Sequence, residues 1–481
     1  FKVGVMSMSS QSNKPTLSDD CSDPETNTLH TGETIEKYPS LVIYKDATCQ
    51  TDLSYDYKPS SQFHIRFCRF MSKVLVSYFL FCLLVMYSVD LQSMLVYCNF
   101  FRKPFSNLLD LERYDLTQAR NIEISTTDGL ILRGWHLLPP GEDSITAAKI
   151  KNNEAKSIYF DQKLRLSNRV VIFFHGNSGD RSMGKRIHLI KHIAAHLSAH
   201  VVTVDYRGFG DSEGIPSEDG TRLDGLAVLQ WVYQKIHYNN ESLRSNLFLR
   251  DAQRQCSPSV TRHEQTKLSE ILSNTALSTS SQEVDGNSTE TDTETERESS
   301  SQLLPAIYLY GQSLGAAVCL QLALALETEK YVTVASEALK GVILDAGFSS
   351  LAEASRSHPL GAVFRIFPYI SEIMLSKLRF YYRNVDIIGK IQVPILILHG
   401  RNDSHVSVQN SRDLFHAAIR DKELHSKENF DYNNVTLVEV EGARHTTVFR
   451  SFDWLVHVPK FMKYAEVFSI AKKKCFLSNL K

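Results

Sequence analysis

The feature that most constrains this chain is Gly311-Gln312-Ser313-Leu314-Gly315, set between a strand and a helix. The run before it, residues 306–310, is short, apolar and β-prone. The run after it, residues 316–326, is rich in small, helix-forming side chains. G-x-S-x-G in that context predicts a nucleophile elbow, a sharp strand-to-helix turn that exposes a serine hydroxyl. A Cβ at Gly311 or Gly315 would clash where the helix crosses back over the strand, so both positions call for glycine. The turn also puts Ser313 at the positive end of a helix. The pentapeptide alone is a weak signal; the flanking strand and helix give it weight.

Such an elbow needs a sheet around it, and the pattern supplies one. Residues 121–125 and 130–136 predict a hairpin around Asp128-Gly129. Residues 170–174 form a continuous apolar run, as a parallel strand buried on both faces requires. Residues 186–197 read as a helix, 201–205 as a strand and 220–236 as a helix. The elbow strand follows, then strands at 341–345, 394–398 and 435–440. Alternating strands and helices predict a doubly wound, mostly parallel α/β sheet.

The rest of the chain reads differently. Residues 1–65 are rich in Ser, Thr, Asp and Lys without periodicity, which predicts a disordered tail. Residues 66–101 read as a transmembrane segment and its flank. The uncharged stretch 74–89 would span about 24 Å as a helix, short of a hydrocarbon core of roughly 30 Å. Extension back to Phe70 completes the span, with Lys73 snorkelling to the surface. A buried core helix is the blander reading, but no partner elements precede this segment. Arg66, Arg69 and Lys73 flank its N-terminal side and Asp90 the other, with Arg102 and Lys103 further off. The positive-inside bias places the N-terminus in the cytosol and the large domain across the membrane.

Residues 102–481 form that domain. Residues 239–304 interrupt it without any period; 283–298 hold seven acids against Arg297. They read as a disordered acidic insertion, more simply a solvated loop than a partner site. Residues 350–385, rich in Phe, Ile, Leu and Tyr, predict a small helical cap over the site, with ordinary cap packing as the alternative to an acyl channel.

Composition narrows the function. A net charge of −1 favours no nucleic-acid partner. The eight cysteines form no CxxC or CxxxC pair, which argues against a zinc site and a disulfide framework. HExxH is absent, and His192 and His196 read as one helix face. Neither metal nor cofactor is expected.

Serine is a poor nucleophile at neutral pH and needs a base, an orienting acid and oxyanion donors. After a nucleophile elbow the partners follow in the order Ser, Asp, His, on loops leaving later strands. Asp403, in the loop after strand 394–398, is the candidate acid; a plain turn aspartate is the alternative. His445, after the last strand, is the candidate base. His405 lies too close to Asp403 and before that strand, and His457 falls within the final helix. The oxyanion donors are read as the Leu314 N–H and the Asn177 N–H in His175-Gly176-Asn177-Ser178-Gly179. Residues 205–214 carry three glycines without dinucleotide spacing and read as a tight loop supporting the site.

These stretches together resemble the membrane-anchored α/β-hydrolase-domain lipases: His175-Gly-Asn, Asp205-Tyr-Arg-Gly-Phe-Gly-Asp-Ser, Gly311-Gln-Ser-Leu-Gly, and the contexts of Asp403 and His445. Residues 353–360 and 364–369, outside the catalytic motifs, are similar to the segment after the elbow in the lysophosphatidylserine and monoacylglycerol lipases of that family. The resemblance covers roughly 100–238 and 305–465, plus the single span. It implies the α/β-hydrolase fold, and a single-pass endoplasmic-reticulum enzyme with a luminal catalytic domain. It implies Ser313 as nucleophile, Asp403 as acid and His445 as base, acting on acyl esters of lysophospholipids or monoacylglycerols. Three features depart from the family: the 239–304 insertion, Gln312 where a His precedes the nucleophile, and Ser404-His405 where Pro usually follows the acid. The rival readings are a protein depalmitoylase, which needs a cytosolic domain, and a non-catalytic scaffold, in which triad members are usually lost.

Overall fold

The computed structural model describes residues 61–100, 106–237, 305–328, 338–358, 366–379, 381–425 and 434–478. The tail before 61 and the 239–304 insertion therefore lie outside the described residues. The chain divides into two compact units, Phe1–Phe70 and Met71–Lys481. Of the first unit, the described part is the beginning of helix α1 (Ser61–Tyr87).

The larger unit is built on an eight-stranded sheet of order β1-β2-β4-β3-β5-β6-β7-β8. Its strands are β1 (Ala119–Ser125), β2 (Ile131–Leu137), β3 (Arg169–Phe174), β4 (His200–Val204), β5 (Ala306–Gln312), β6 (Leu339–Asp345), β7 (Ile395–Gly400) and β8 (Val435–Val440). The pairs β1–β2 and β2–β4 are antiparallel. All other pairs are parallel. This is the α/β-hydrolase fold the sequence predicts. Gly129, at the tip of the β1–β2 hairpin, takes φ 85°.

Among the described residues the other α-helices are α2 (Val89–Tyr97), α3 (Glu142–Lys149), α4 (Asn153–Arg165), α5 (Gly184–Leu197), α6 (Glu218–Ile236), α7 (Leu314–Thr328), α8 (Leu351–Ser357), α9 (Pro368–Ser376), α10 (Gln409–His425) and α11 (Phe452–Ser478). The period-2 geometry of strands sends alternate residues to opposite faces. Val170, Ile172, Ile307, Leu309, Val342 and Leu344 face one layer, with Val228 of α6, Leu320 of α7 and Leu414 of α10. Val171, Phe173, Tyr308, Tyr310 and Ile343 face the other, with Ile190 of α5 and Phe461 of α11. Both faces are buried, so the strands need no polar alternation. Each such fully buried aliphatic side chain contributes about 1.5–3 kcal/mol.

Helix α1 differs from the expected span. Residues 62–87 are long and apolar enough to cross a membrane, by length and composition. Arg66, Arg69 and Lys73 lie in the N-terminal part of the helix, ahead of the uncharged stretch, and residues 61–65, expected in the tail, already belong to it. It stops at Tyr87 because Ser88 turns to extended backbone (φ −97°, ψ 108°) and caps α2, accepting from the Leu91 N–H at 3.2 Å. Val89, expected at the end of the span, starts α2.

Within the larger unit, Cys82 and Val85 at the end of α1 pack on Met374 of α9. The Phe367 ring lies 5.4 Å from Tyr78 and 5.8 Å from Phe79. The predicted cap region therefore contains α8 and α9, with 359–365 outside the described residues. Gln92 ties the junction together. It donates to the carbonyls of Val85, Met86 and Lys377, and accepts from the Arg379 N–H.

Candidate active site

Ser313 sits at the turn from β5 into α7 with φ 53°, a left-handed conformation rarely adopted by a residue with a side chain. Its N–H donates to the Asp345 carbonyl at 2.8 Å, at the end of the neighbouring β6, which holds the turn in place. The two glycines are required by close approach. A Cβ on Gly311 would lie 2.2 Å from the Gly315 carbonyl oxygen, and one on Gly315 would lie 2.0 Å from that of Phe174. The second clash is with β3, not with the elbow's own strand, because α7 crosses over both.

Asp403 leaves β7 three residues after Gly400, and His445 follows β8. The structure brings the two together, with His445 Nδ1 2.6 Å from Asp403 Oδ2. A carboxylate is a pure acceptor, so Nδ1 carries the proton and Nε2 is left as the basic nitrogen. The other oxygen, Oδ1, accepts from the N–H groups of His405 and Val406 at 2.8 and 3.0 Å. Burial alone would raise the Asp403 pKa. The bonds from His399 and His445 and the Val406 N–H outweigh it and hold the group well below the usual carboxylate range.

His399 is a neighbour the sequence reading missed. It is buried at the end of β7, with Nε2 3.0 Å from the Val406 carbonyl and 3.3 Å from Asp403 Oδ2. Two acceptors at Nε2 put the proton there, and Nδ1 accepts from the Ser411 hydroxyl at 2.7 Å. Of the rival histidines, the His405 ring stacks 5.2 Å from that of His445, and His457 lies within α11.

The loop after β3 lies against the elbow. A Cβ on Gly176 would be 3.4 Å from Ser313 Cβ and 3.3 Å from the Gln312 carbonyl oxygen. Neither the Asn177 N–H nor the Leu314 N–H donates to an acceptor among the described residues. The glycine loop supports this segment. Asp205 accepts from the Arg181 N–H and side chain, and the Tyr206 hydroxyl donates to the His175 carbonyl at 2.9 Å.

Asp345 is a second buried carboxyl behind the nucleophile. Oδ2 accepts from the Tyr310 hydroxyl at 3.1 Å and from Gln312 Nε2 at 3.3 Å, while Oδ1 has no partner among the described residues. Burial pushes its pKa up to about 6, against the lowering pull of Tyr310, His445, Gln312 and His399. Gln312, the residue before the elbow serine, is thus a donor to this acid.

A cavity of about 590 Å³ is bounded by Ser349, Glu353, Glu372, Leu375, Leu378 and Val385, and none of Ser313, Asp403 and His445 lines it. Of the Asn-x-Ser/Thr sequons, Asn434 is buried and donates to the Gln392 carbonyl at 3.0 Å, whereas Asn402 is exposed. Asn240 and Asn287 lie outside the described residues.

An elbow serine on an α/β-hydrolase sheet, in a chain whose loops after β7 and β8 hold a hydrogen-bonded Asp–His pair, is the arrangement of a serine hydrolase. More particularly, the chain is homologous to lysophosphatidylserine lipases of the α/β-hydrolase-domain group. It is 26% identical over 370 residues to the lysophosphatidylserine lipase ABHD12 of Danio rerio, spanning 75% of this chain and 74% of that protein. It is 26% identical over 337 residues to Protein ABHD12B of Homo sapiens, spanning 69% and 70%. No protein-family model matches the chain. Among solved structures, the esterase Pf2001 of Pyrococcus furiosus aligns with a TM-score of 0.42 at 16% identity, over 76% of this chain and 96% of that one.

Proposed function

We propose that this protein is a single-span membrane hydrolase that cleaves the acyl ester of lysophospholipids or monoacylglycerols. Ser313 Oγ attacks the ester carbonyl carbon and its proton passes to His445 Nε2. Asp403 fixes the imidazole and offsets its charge. The tetrahedral oxyanion accepts from the N–H groups of Asn177 and Leu314. His445 returns the proton to the leaving glycerol oxygen, which leaves Ser313 acylated. Water, deprotonated by His445, then releases the fatty acid and restores the serine. The observation that carries this reading is the His445–Asp403 hydrogen bond, with Nε2 left basic, in a chain with an elbow serine.

The lipid substrate is supported by the names of the relatives and by α1 packing on α9. A single acyl chain leaves a bilayer at about 0.8 kcal/mol per CH₂, and two chains cost roughly twice as much. Single-chain lipids are therefore the favoured class. The lysophosphatidylserine head group rests on the relatives alone. We assign the domain to the endoplasmic-reticulum lumen on the basic residues early in α1; among the described residues Asn402 is then an exposed sequon available for a glycan.

Fluorophosphonate labelling of wild type and Ser313→Ala in sealed microsomes tests the nucleophile, and persistent labelling of the variant refutes it. The purified enzyme is then offered lysophosphatidylserine, lysophosphatidylcholine, monoacylglycerol, diacyl phospholipid and a palmitoyl-cysteine peptide. Faster turnover of the thioester than of every single-chain lipid, with a protease-accessible domain, replaces the lipase reading with depalmitoylation.

A further inference from the structure

The Asn177 N–H, assigned to the oxyanion in the reading above, has to be aimed at the reacting oxygen, and the structure shows what aims it. The side chain of Arg186, in the first turn of α5, is buried beneath the loop. Nη2 donates to the carbonyls of Gly176, Asn177 and Ser178 at 2.7, 2.8 and 2.8 Å, and Nη1 to that of Asp180 at 2.7 Å. No carboxylate forms an ion pair with this guanidinium among the described residues. Its donors are spent on loop backbone.

In a trans peptide the N–H points opposite to the carbonyl of the preceding residue. Turning the Gly176 carbonyl onto Arg186 therefore turns the Asn177 N–H away from it. Turning the Asn177 carbonyl the same way sends the Ser178 N–H to the opposite side. There it donates to the Tyr97 carbonyl at 3.2 Å, at the end of α2. The Asn177 side chain donates to the neighbouring Val96 carbonyl. The loop is held from both sides, by a cation under its carbonyls and by α2 carbonyls that accept from the Ser178 N–H, shared with Asn177 Oδ1 at 2.9 Å, and from the Asn177 side chain.

We propose that Arg186 is a positioning residue for the Asn177 oxyanion donor, and that the end of the helix following the span shares the task. The inference rests on the triad reading. It adds that a guanidinium bonded only to loop backbone, and the segment following α1, set the strength of the oxyanion site. Lysine is a point-like donor and cannot serve four diverging carbonyls as the planar fork does.

The test uses the full chain in detergent, with Arg186→Lys, Arg186→Ala and Asn177→Ser. Serine keeps a neutral polar side chain but is too short to reach Val96. Complete loss of an oxyanion donor costs about 10²- to 10³-fold in kcat. A loosened donor should cost about 10- to 100-fold in Arg186→Lys and less in Asn177→Ser, with KM little changed. Affinity for a trifluoromethyl ketone, whose hemiketal oxyanion occupies the same donors, should fall in proportion to kcat/KM. Added guanidinium ion should restore part of the turnover of Arg186→Ala. Should that variant fail to fold, Arg186→Lys and Asn177→Ser carry the test.

Turnover within about threefold of wild type in Arg186→Lys would overturn the proposal. So would a loss of kcat that leaves trifluoromethyl ketone affinity unchanged. Ser313→Ala run in parallel separates the two levels. If labelling survives it, the triad reading fails; if it abolishes labelling while the Arg186 variants stay fully active, the positioning role alone fails.

Discussion

Asp345→Asn should make the protein more stable above neutral pH, although it removes a buried acid next to the nucleophile. Asp345 is fully buried, and its carboxyl pKa is raised from 3.8 to about 6. In the folded state it therefore holds its proton to higher pH than in the unfolded chain. Its favourable contribution is complete below about pH 4 and is lost as pH rises through about 6. The shift is worth about 3 kcal/mol by linkage, an upper figure because charged-group relaxation reduces it. The asparagine oxygen can still accept from Tyr310 and Gln312. Its amide N–H groups replace the unpartnered Oδ1, which returns about 1 kcal/mol of the gain. A net gain near 2 kcal/mol at pH 8 should raise Tm by about 2 °C in a unit of this size, and the gap should close towards pH 4.5. Asp224, raised to about 6 by burial against the pull of Arg207, ionises in both proteins and cancels in the difference. Thermal unfolding in detergent at several pH values measures it. A variant less stable than wild type at pH 8, or a gap independent of pH, refutes the reasoning.

Other perturbations should separate backbone fit from chemistry. Gly315→Ala drives a Cβ into the Phe174 carbonyl oxygen and should cost about 3 kcal/mol or more, read as lost folded yield. Gly129→Ala meets nothing within 4 Å and pays only for its φ of 85°, about 1 kcal/mol by thermal unfolding. Asp403→Asn should lower kcat by about 10⁴-fold in an ester assay while labelling by fluorophosphonate slows in parallel. Asp403 is held below the carboxylate range, so the stability it contributes is present above about pH 4 and lost as pH falls further. Wild type should therefore lose stability more steeply than Asp403→Asn on acidification, as followed by tryptophan fluorescence. His399→Ala removes one of the groups holding that carboxylate and should lower kcat by about tenfold, visible in the same ester assay.

Much of this architecture was legible in the sequence because strand burial and elbow geometry are local constraints. Residues 170–174 are apolar at every position, and only a strand covered on both faces has use for that. Gly311 and Gly315 could be read as a close approach of backbones, although the strand that Gly315 meets belongs to another part of the chain. Helices α3 and α4 escaped notice because their buried residues are few: Ala147 in one, Phe160 and Leu164 in the other. So few anchors give no clear 3.6-residue stripe.

The site divides in the same way. Asp403 and His445 are announced by chain order, since each follows a strand that ends at the same edge of the sheet. Arg186 and His399 are not announced by anything local. Arg186 sits in a helix with Lys185 beside it, and only the folded loop shows that one faces four carbonyls. The same holds for α2, which reads as a weak continuation of the apolar span. Its role comes from Gln92, Ser93 and Tyr97, three polar side chains buried against distant segments. Gln92 meets the carbonyl of Lys377, Ser93 that of Pro216, and the Tyr97 hydroxyl that of Tyr382. A buried polar group costs free energy unless it is paired, so each must find its partner as the fold closes. These three contacts fix the segment after α1 to the cap region and to the stretch following the glycine loop. Through Val96 and Tyr97 the same segment reaches the loop after β3. The part of the chain next to α1 is thereby built against the loop after β3, which packs on the elbow, and an apolar-run reading of the sequence has no means of showing it.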